Sequence, residues 1–264
     1  MGASLRNSII IVTGAGSGIG RAAADMLEAA GATVYRASRS GELRVDVTDF
    51  ESAKNAIGEV RRRDGRIDAL VHCAGVGVSG PLEYMDGELL GLQFGTNING
   101  MIHMCRAVLP VMRAQGCGRI IVTGSVAGRV SIPFQSAYSA SKAAVSSLLI
   151  ALRSEVRGFG IQCSIVEPGD VKTGFTANRV KAVLPEDDAY KKHCDAAVSQ
   201  MEHDEEHGEP PEKIAREIVK LLGKKRMPAR VVCGAGYKAL ALLSRILPDR
   251  LIACIIERIY HIRP

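Results

Sequence analysis

The sequence of 264 residues has no tryptophan, and aromatic residues make up only 4% of it. So few aromatics leave no platform on which bases could stack. Neither sign of charge dominates: 34 Lys and Arg against 28 Asp and Glu give a net charge of +6, scattered along the chain. This describes a solvated surface that tolerates an anionic cofactor, and no nucleic-acid partner is expected. The seven cysteines are odd in number and include no Cys-x-x-Cys pair. That excludes a disulfide framework and a zinc site of that type, and points to free thiols in a reducing, cytoplasmic setting. No apolar run is long enough to suggest a bilayer span. The chain reaches Ser8-Ile-Ile-Ile-Val-Thr13 with no charged leader and cleavage site before it, so no signal peptide is expected. Arg6 stands where a myristoylation motif needs Ser or Thr. No metal is expected either: His203-Asp-Glu-Glu-His207 has the histidine spacing of a zinc protease but Asp204 in place of its glutamate, and reads as a solvated acidic loop.

What is present is a composition of 47% hydrophobic and 23% charged residues, typical of a globular chain. Short β-branched runs at 9–13, 33–37, 43–45, 69–73, 119–123, 162–166 and 230–233 alternate with amphipathic stretches such as 21–30, 50–62 and 138–157. This alternation predicts one α/β domain over residues 1–264: a doubly wound, Rossmann-like parallel sheet of about seven strands in a three-layer αβα arrangement. Ligands are then expected at the C-terminal edge of the strands. Residues 38–43 are too few for a helix, so strands two and three must be joined by a tight or irregular connection. The polar segment 176–211 breaks the rhythm where such sheets place ligand-covering loops, and reads as a substrate-loop insert. Residues 237–264 read as an amphipathic helical tail with an apolar stripe of Leu251, Ile252, Ile255, Ile256 and Ile259, and with Arg250, Glu257, Arg258 and Arg263 on other faces. Packing on the core or on a second subunit is the favoured reading of that stripe, ahead of peripheral membrane contact or a wall for a greasy substrate.

Gly14-Ala-Gly-Ser-Gly-Ile-Gly20 follows a strand and opens a helix. Glycines there let the backbone turn tightly and approach a pyrophosphate resting on the helix N-terminus. Of six tyrosines, only Tyr138 has a lysine four residues on, Lys142. On a helix both fall on one face, where an ammonium would favour the phenolate of a group with an ordinary pKa of about 10. Ser125, at the end of a strand, is placed to hydrogen-bond a substrate oxygen.

Together, Thr13-Gly14-x3-Gly18-Ile-Gly20, Cys73-Ala-Gly75, Asn97, Ser125, Tyr138-x3-Lys142 and Pro168-Gly169-x3-Thr173 closely resemble the short-chain dehydrogenase/reductase family, in its compact, non-extended branch, over residues 5–235. The resemblance implies hydride transfer between a nicotinamide cofactor and an alcohol or ketone. By position, it implies Tyr138 as general acid/base and Lys142 as the group that lowers its pKa and bonds the nicotinamide ribose. Ser125 would hold the substrate oxygen, and the backbone of Asn97 a relay water. It also implies a cofactor site formed by Gly14, Ser17, Gly18, Ile19, Gly20, Ala74, Gly75, Pro168 and Gly169, with Val171 and Thr173 on the carboxamide and Asp46 and Val47 at the adenine. Homodimers or homotetramers are common in the family. Two departures stand out: His72-Cys73-Ala74-Gly75 replaces the frequent Asn-Asn-Ala-Gly, and the usual helix between strands two and three is missing.

At the end of the second strand, Ser38 and Arg39 stand where an NAD enzyme carries an acid. A hydroxyl beside a guanidinium suits a 2′-phosphate, so NADP(H) is preferred to NAD(H). The apolar stretch 126–134 and the tail suggest a hydrophobic small-molecule alcohol or ketone, steroid-, retinoid- or acyl-like. Two rivals differ in class. A non-catalytic sensor or scaffold that binds the dinucleotide would have no need of the Tyr138 and Lys142 pair. A nucleotide-sugar epimerase or dehydratase would need a larger C-terminal domain.

Overall fold

A continuously apolar strand, buried on both faces, sits at the centre of the computed structural model of the chain, which describes residues 5–262. This is β1, Ile9–Thr13, every residue of which is buried. Unbroken apolar strands of this kind belong in parallel sheets covered by helices on both sides. The chain continues through α1 (Gly18–Ala29), β2 (Thr33–Ser38), β3 (Leu43–Arg44), α2 (Phe50–Asp64), β4 (Ala69–His72), β5 (Val78–Ser79), α3 (Gly87–Phe94) and α4 (Gly100–Gln115). It then forms β6 (Gly118–Thr123), α5 (Ser136–Glu155), β7 (Ile161–Glu167), β8 (Val180–Lys181), α6 (Lys191–Glu206), α7 (Pro211–Leu222), β9 (Arg230–Val232), α8 (Ala235–Ile246) and α9 (Asp249–Ile259).

Seven strands form one parallel sheet in the order β3-β2-β1-β4-β6-β7-β9. The order reverses between β1 and β4, which opens a crevice beyond their C-terminal ends. Helices α1 and α7 cover one face, where Leu27, Ile214, Ile218 and Leu221 meet Ile10, Val12 and Val71. The other face is covered by α2, α4 and α5, through Ile57, Met104, Val108 and Leu149 against Ile11, Leu70 and Ile120. Local chemistry sets the helix starts: the Asp49 carboxylate, for example, accepts from Glu51 N at 3.0 Å and so caps α2.

The connection between β2 and β3 is a turn over residues 39–42, as the spacing required, and Leu43 pairs with Ala37. Three readings need correction. Segment 176–211 is not simply a loop: β8 pairs with β5 in a separate two-stranded sheet, and α6 fills about half of the remainder. Consequently His203 to Glu206 lie on the last turn of α6. The tail is two helices, and its stripe divides. Ile252 and Ile256 are buried, together with Tyr260, against Val130, Ala197 and Met201, whereas Leu251, Ile255 and Ile259 stay exposed. Met1, Gly2, Arg263 and Pro264 lie outside the described residues.

Candidate active site at the sheet's C-terminal edge

The glycine cradle is built by crowding. Gly14 has φ of +66°, and a Cβ there would sit 2.9 Å from the backbone of Cys73 and Ala74, while one at Gly20 would strike the carbonyl of Gly14. Only hydrogen fits, which keeps the start of α1 open to a large anion. Ser17 occupies the N-cap of α1 yet makes no capping bond with its side chain, so its hydroxyl is free for a ligand. Ile19 packs against the sheet in the α1 layer. Thr173 lies across the cradle, 3.2 Å from where a Gly18 Cβ would be, so the two ends of the expected cofactor site meet.

Cys73 N and Ala74 N both donate to Thr13 Oγ1 at 3.2 Å, and that hydroxyl is 2.9 Å from His72 Nδ1. Having accepted twice, Thr13 is left to donate to the imidazole. Burial holds His72 neutral, pulling its pKa down to about 3. The unusual His72 thus ties β4 to β1.

Asn97 lies in a π-helical turn, Gly95–Asn99, between α3 and α4. Its Oδ1 accepts from Val76 N at 2.8 Å, and its Nδ2 donates to Val76 O and to Ser141 Oγ, each at 3.0 Å. Gln93, one helical turn earlier, repeats the pattern between Val78 N, Val76 O and Ser141. Both amides are spent on the backbone of residues 76–78, which holds the loop beyond Gly75. Gln93 and Ser141 were missed in the sequence, although a buried-face Gln four residues before Asn97 was a usable sign.

Tyr138 and Lys142 share one face of α5, with Lys142 Nζ 5.7 Å from the phenol ring centroid. Lys142 is buried, donates to Thr123 O at 3.1 Å, and lies 3.6 Å from where a Gly75 Cβ would stand. Burial lowers its pKa to about 8. Burial also pushes Tyr138 up to about 12, with a hydrogen bond to Ser125 acting the other way. The direction is opposite to the lowering expected from Lys142: loss of solvent is the largest cause, and the phenol is neutral at pH 7. Ser125 also caps the short turn after β6, accepting from Ala127 N at 3.1 Å. The Phe175 ring is 5.7 Å from that of Tyr138, and Arg179 lies 5.7 Å over Phe175 on its way to Glu205.

Pro168 O accepts from Val126 N at 3.0 Å, which joins the loops after β7 and β6, and the Tyr237 ring covers Gly169. Val171 is buried and bridges to Glu209, while Thr173 Oγ1 accepts from Phe175 N at 3.2 Å. On the β2–β3 side, Ser38 is half-buried, and Arg39 is exposed with no ion pair among the described residues. Asp46 turns its carboxylate onto Thr48 N and Oγ1, at 2.9 and 2.7 Å, which lowers its pKa. Val47 is buried beside Gly100, and its carbonyl accepts from the His103 ring at 2.9 Å. Gly14 thus adjoins Cys73 and Ala74, Gly18 adjoins Thr173, and Gly75 adjoins Asn97 and Lys142. No group of three or more His, Cys, Asp or Glu able to hold a metal occurs among the described residues.

The family model for short chain dehydrogenases matches residues 8–183. The chain belongs to that family. It is 36% identical, over 98% of its length and all of the relative's, to a 3-ketodihydrosphingosine reductase of Bacteroides thetaiotaomicron. Among solved structures it is similar to a short-chain dehydrogenase from Streptomyces avermitilis, with TM-score 0.82 and 30% identity, covering 95% of each chain. It is also similar to a family member from Burkholderia phymatum in complex with NAD, with TM-score 0.80 and 26% identity over 91% of this chain and 94% of that one. The chain is thus an oxidoreductase of the NAD(P)-dependent dehydrogenase/reductase type. After β9, α8 and α9 follow among the described residues.

Proposed function

We propose that the protein reduces a ketone on a long apolar chain to a secondary alcohol with NADPH, Tyr138 giving the proton. The observation that carries this reading is the half-buried phenol of Tyr138, on one face of α5 with the buried Lys142 and against the ring of Phe175. The phenol carries its proton at pH 7, so it can serve as the donor when a ketone is reduced.

The residues present fit a nicotinamide dinucleotide. The cradle has space only for hydrogen at Gly14 and Gly20, Gly18 takes a positive φ of +51°, and the Ser17 hydroxyl is uncommitted at a helix N-terminus. Gly14 to Gly20 would hold the pyrophosphate, Ser38 and Arg39 the 2′-phosphate, Asp46 and Val47 the adenine, and Ala74 and Gly75 the adjoining ribose. Pro168, Gly169, Val171 and Thr173 would hold the nicotinamide end, and Lys142 its ribose. When bound, the cofactor supplies the hydride. Ser125 then holds the carbonyl oxygen so that Tyr138 can deliver its proton to that atom. Lys142 stays charged behind the phenol, and the carbonyl of Asn97, whose side chain is occupied, is left to hold a water that returns the proton.

The long-chain substrate is supported by the relative named a 3-ketodihydrosphingosine reductase, which aligns over nearly the whole chain, and by the apolar cluster of Val130, Ile132 and Phe134 that follows Ser125. Assays of NADPH oxidation with ketones of increasing chain length test the reading. Rates are expected to rise with chain length, and Tyr138→Phe to lose at least about a hundredfold in turnover while keeping NADPH affinity. A variant with near wild-type turnover overturns the assignment.

A further inference from the structure

The outer face of the two C-terminal helices is apolar where a surface helix is ordinarily polar. On α8 the outward positions are Ala235, Ala239, Leu242, Leu243 and Ile246, and Leu242 and Ile246 are 59% and 69% exposed. On α9, Leu251, Ile255 and Ile259 are also exposed. Among these side chains stand the exposed cations Lys238, Arg245, Arg250 and Arg258. The only exposed acid among the described residues of the two helices is Asp249. On α8, Lys238 and Arg245 lie on one flank of the strip formed by Leu242 and Ile246, a placement that follows from 3.6 residues per turn.

We propose that this face rests on an anionic lipid surface, with the aliphatic side chains at the acyl boundary and the four cations among the headgroups. Charge decides between lipid and a second copy of the chain. A two-fold interface sets a patch against itself, and here it would bring cations against cations with one acid on each side to offset them. An anionic bilayer meets both properties at once. Contact is peripheral, since no described helix is long and apolar enough to cross a membrane. The inner face of the same unit backs the active site. Ile252, Ile256 and Tyr260 pack on Val130 and Met201, and Tyr237 donates to Asp170 two residues beyond Pro168. Lipid contact would therefore fall on the outside of the wall whose inside follows Ser125.

The test is co-sedimentation of the full chain with phosphatidylcholine vesicles prepared with and without phosphatidylglycerol, at low and high salt. The wild type is expected to pellet with the anionic vesicles, hardly at all with phosphatidylcholine alone, and less as salt rises. Lys238→Gln/Arg245→Gln should weaken binding by about thirtyfold, from roughly 1 kcal/mol for each cation near such a surface. Leu242→Ser/Ile246→Ser should abolish it. Both pairs should keep the wild-type circular dichroism and melting temperature; if the serine pair does not fold, the glutamine pair carries the test. Failure of the wild type to bind anionic vesicles overturns the proposal, as does unchanged binding by the folded variants. Self-association in the absence of lipid, seen by light scattering and lost in Leu242→Ser/Ile246→Ser, would assign the face to a second copy instead. None of these readings depends on the substrate.

Discussion

Two buried carboxylate–guanidinium clusters, one in the sheet and one in the segment that covers the site, are built on different terms. At the end of β7, Glu167 is 1% exposed and has every lone pair engaged. Its Oε2 accepts from Arg129 Nε and Nη2 at 2.8 and 2.7 Å, and its Oε1 from Arg230 at 2.9 Å and Ser146 at 3.2 Å. The loop after β6, helix α5 and strand β9 are thereby pinned to one side chain of β7. In the cover, Arg179 has a fully buried side chain and pairs with Glu205, which also accepts from Thr176 Oγ1 at 2.6 Å. With its amide oxygen turned inward, Gln135 accepts from Arg179 Nε and Nη2 at 3.2 Å, yet Arg179 Nη1 has no acceptor among the described residues. A saturated cluster locks a scaffold. One with an orphan N–H carries a desolvation cost, and its return is the placement of Phe175 against Tyr138.

The largest effect expected from this contrast is on stability. Glu167→Ala strands two guanidinium groups, and removing one partner of a buried pair costs about 3–5 kcal/mol. Arg230 is 29% exposed and can recruit water, so the lower end applies. At roughly 2–4 °C per kcal/mol for a chain of this size, the melting temperature should fall by roughly 6–12 °C, with turnover per folded molecule nearly kept. Arg179→Met should do the reverse. Stability drops by about 1–2 kcal/mol, because burial already raises the Glu205 pKa and its carboxyl can take up a proton. The ketone KM rises about tenfold as Phe175 loses its support, about 1.4 kcal/mol. Pairing Arg179→Met with Glu205→Leu should restore stability but not KM, since apolar pairs replace buried ion pairs at little cost. If both single variants lose stability and activity in the same proportion, the distinction between lock and positioning device fails.

The scaffold side of this contrast was readable in the chain and the cover was not, for physical reasons. The unbroken apolar run 9–13, the glycines from Gly14 and the Tyr138–Lys142 spacing are local patterns that few folds satisfy, and each falls where expected. The missing helix between β2 and β3 followed from length alone. By contrast, β8 is two residues long and exists only because β5 offers an edge to it. Arg179–Glu205 spans 26 positions, and nothing in composition marks one of many charged residues as buried. The Tyr138 pKa shows the same limit. Spacing identified Lys142 as its neighbour, but burial sets the direction, and burial is a property of the fold.

A smaller effect separates the two regions by ligand. Arg39, on the scaffold, is exposed and makes no ion pair among the described residues, and the proposed function assigns it to a 2′-phosphate. NADPH should bind at least about tenfold tighter than NADH, about 1.4 kcal/mol, and Arg39→Ala should remove most of that gap. The ketone KM should not move in Arg39→Ala, just as the NADPH dissociation constant should not move in Arg179→Met. Fluorescence titration of both nucleotides against the wild type and both variants checks the dissociation constants, and steady-state assays of Arg39→Ala check the ketone KM. Equal affinity of the wild type for the two cofactors would remove the assignment of Ser38 and Arg39.

The smallest effect is a pH dependence in which activity and stability part company. Buried Lys142 has a folded pKa of about 8, below its ordinary 10.5, and Tyr138 stands at about 12. Between pH 7 and 9.5 the phenol keeps its proton, so Lys142 alone loses charge. If the ammonium is needed behind Tyr138, kcat/KM for ketone reduction falls about twofold at pH 8 and about tenfold by pH 9, since kcat/KM reports the free enzyme. The sign for stability is the opposite. Between about 8 and 10.5 the unfolded chain binds more protons at this lysine than the folded one, so the contribution of Lys142 to stability grows as pH rises. A falling rate without a falling contribution to stability cannot be attributed to unfolding. Lys142→Arg keeps its charge throughout, and its kcat/KM, though lower, should be flat over the same range. A wild-type profile that is flat to pH 9.5, or a Lys142→Arg profile that bends at 8, would show that the charge of Lys142 is not what limits proton delivery from Tyr138.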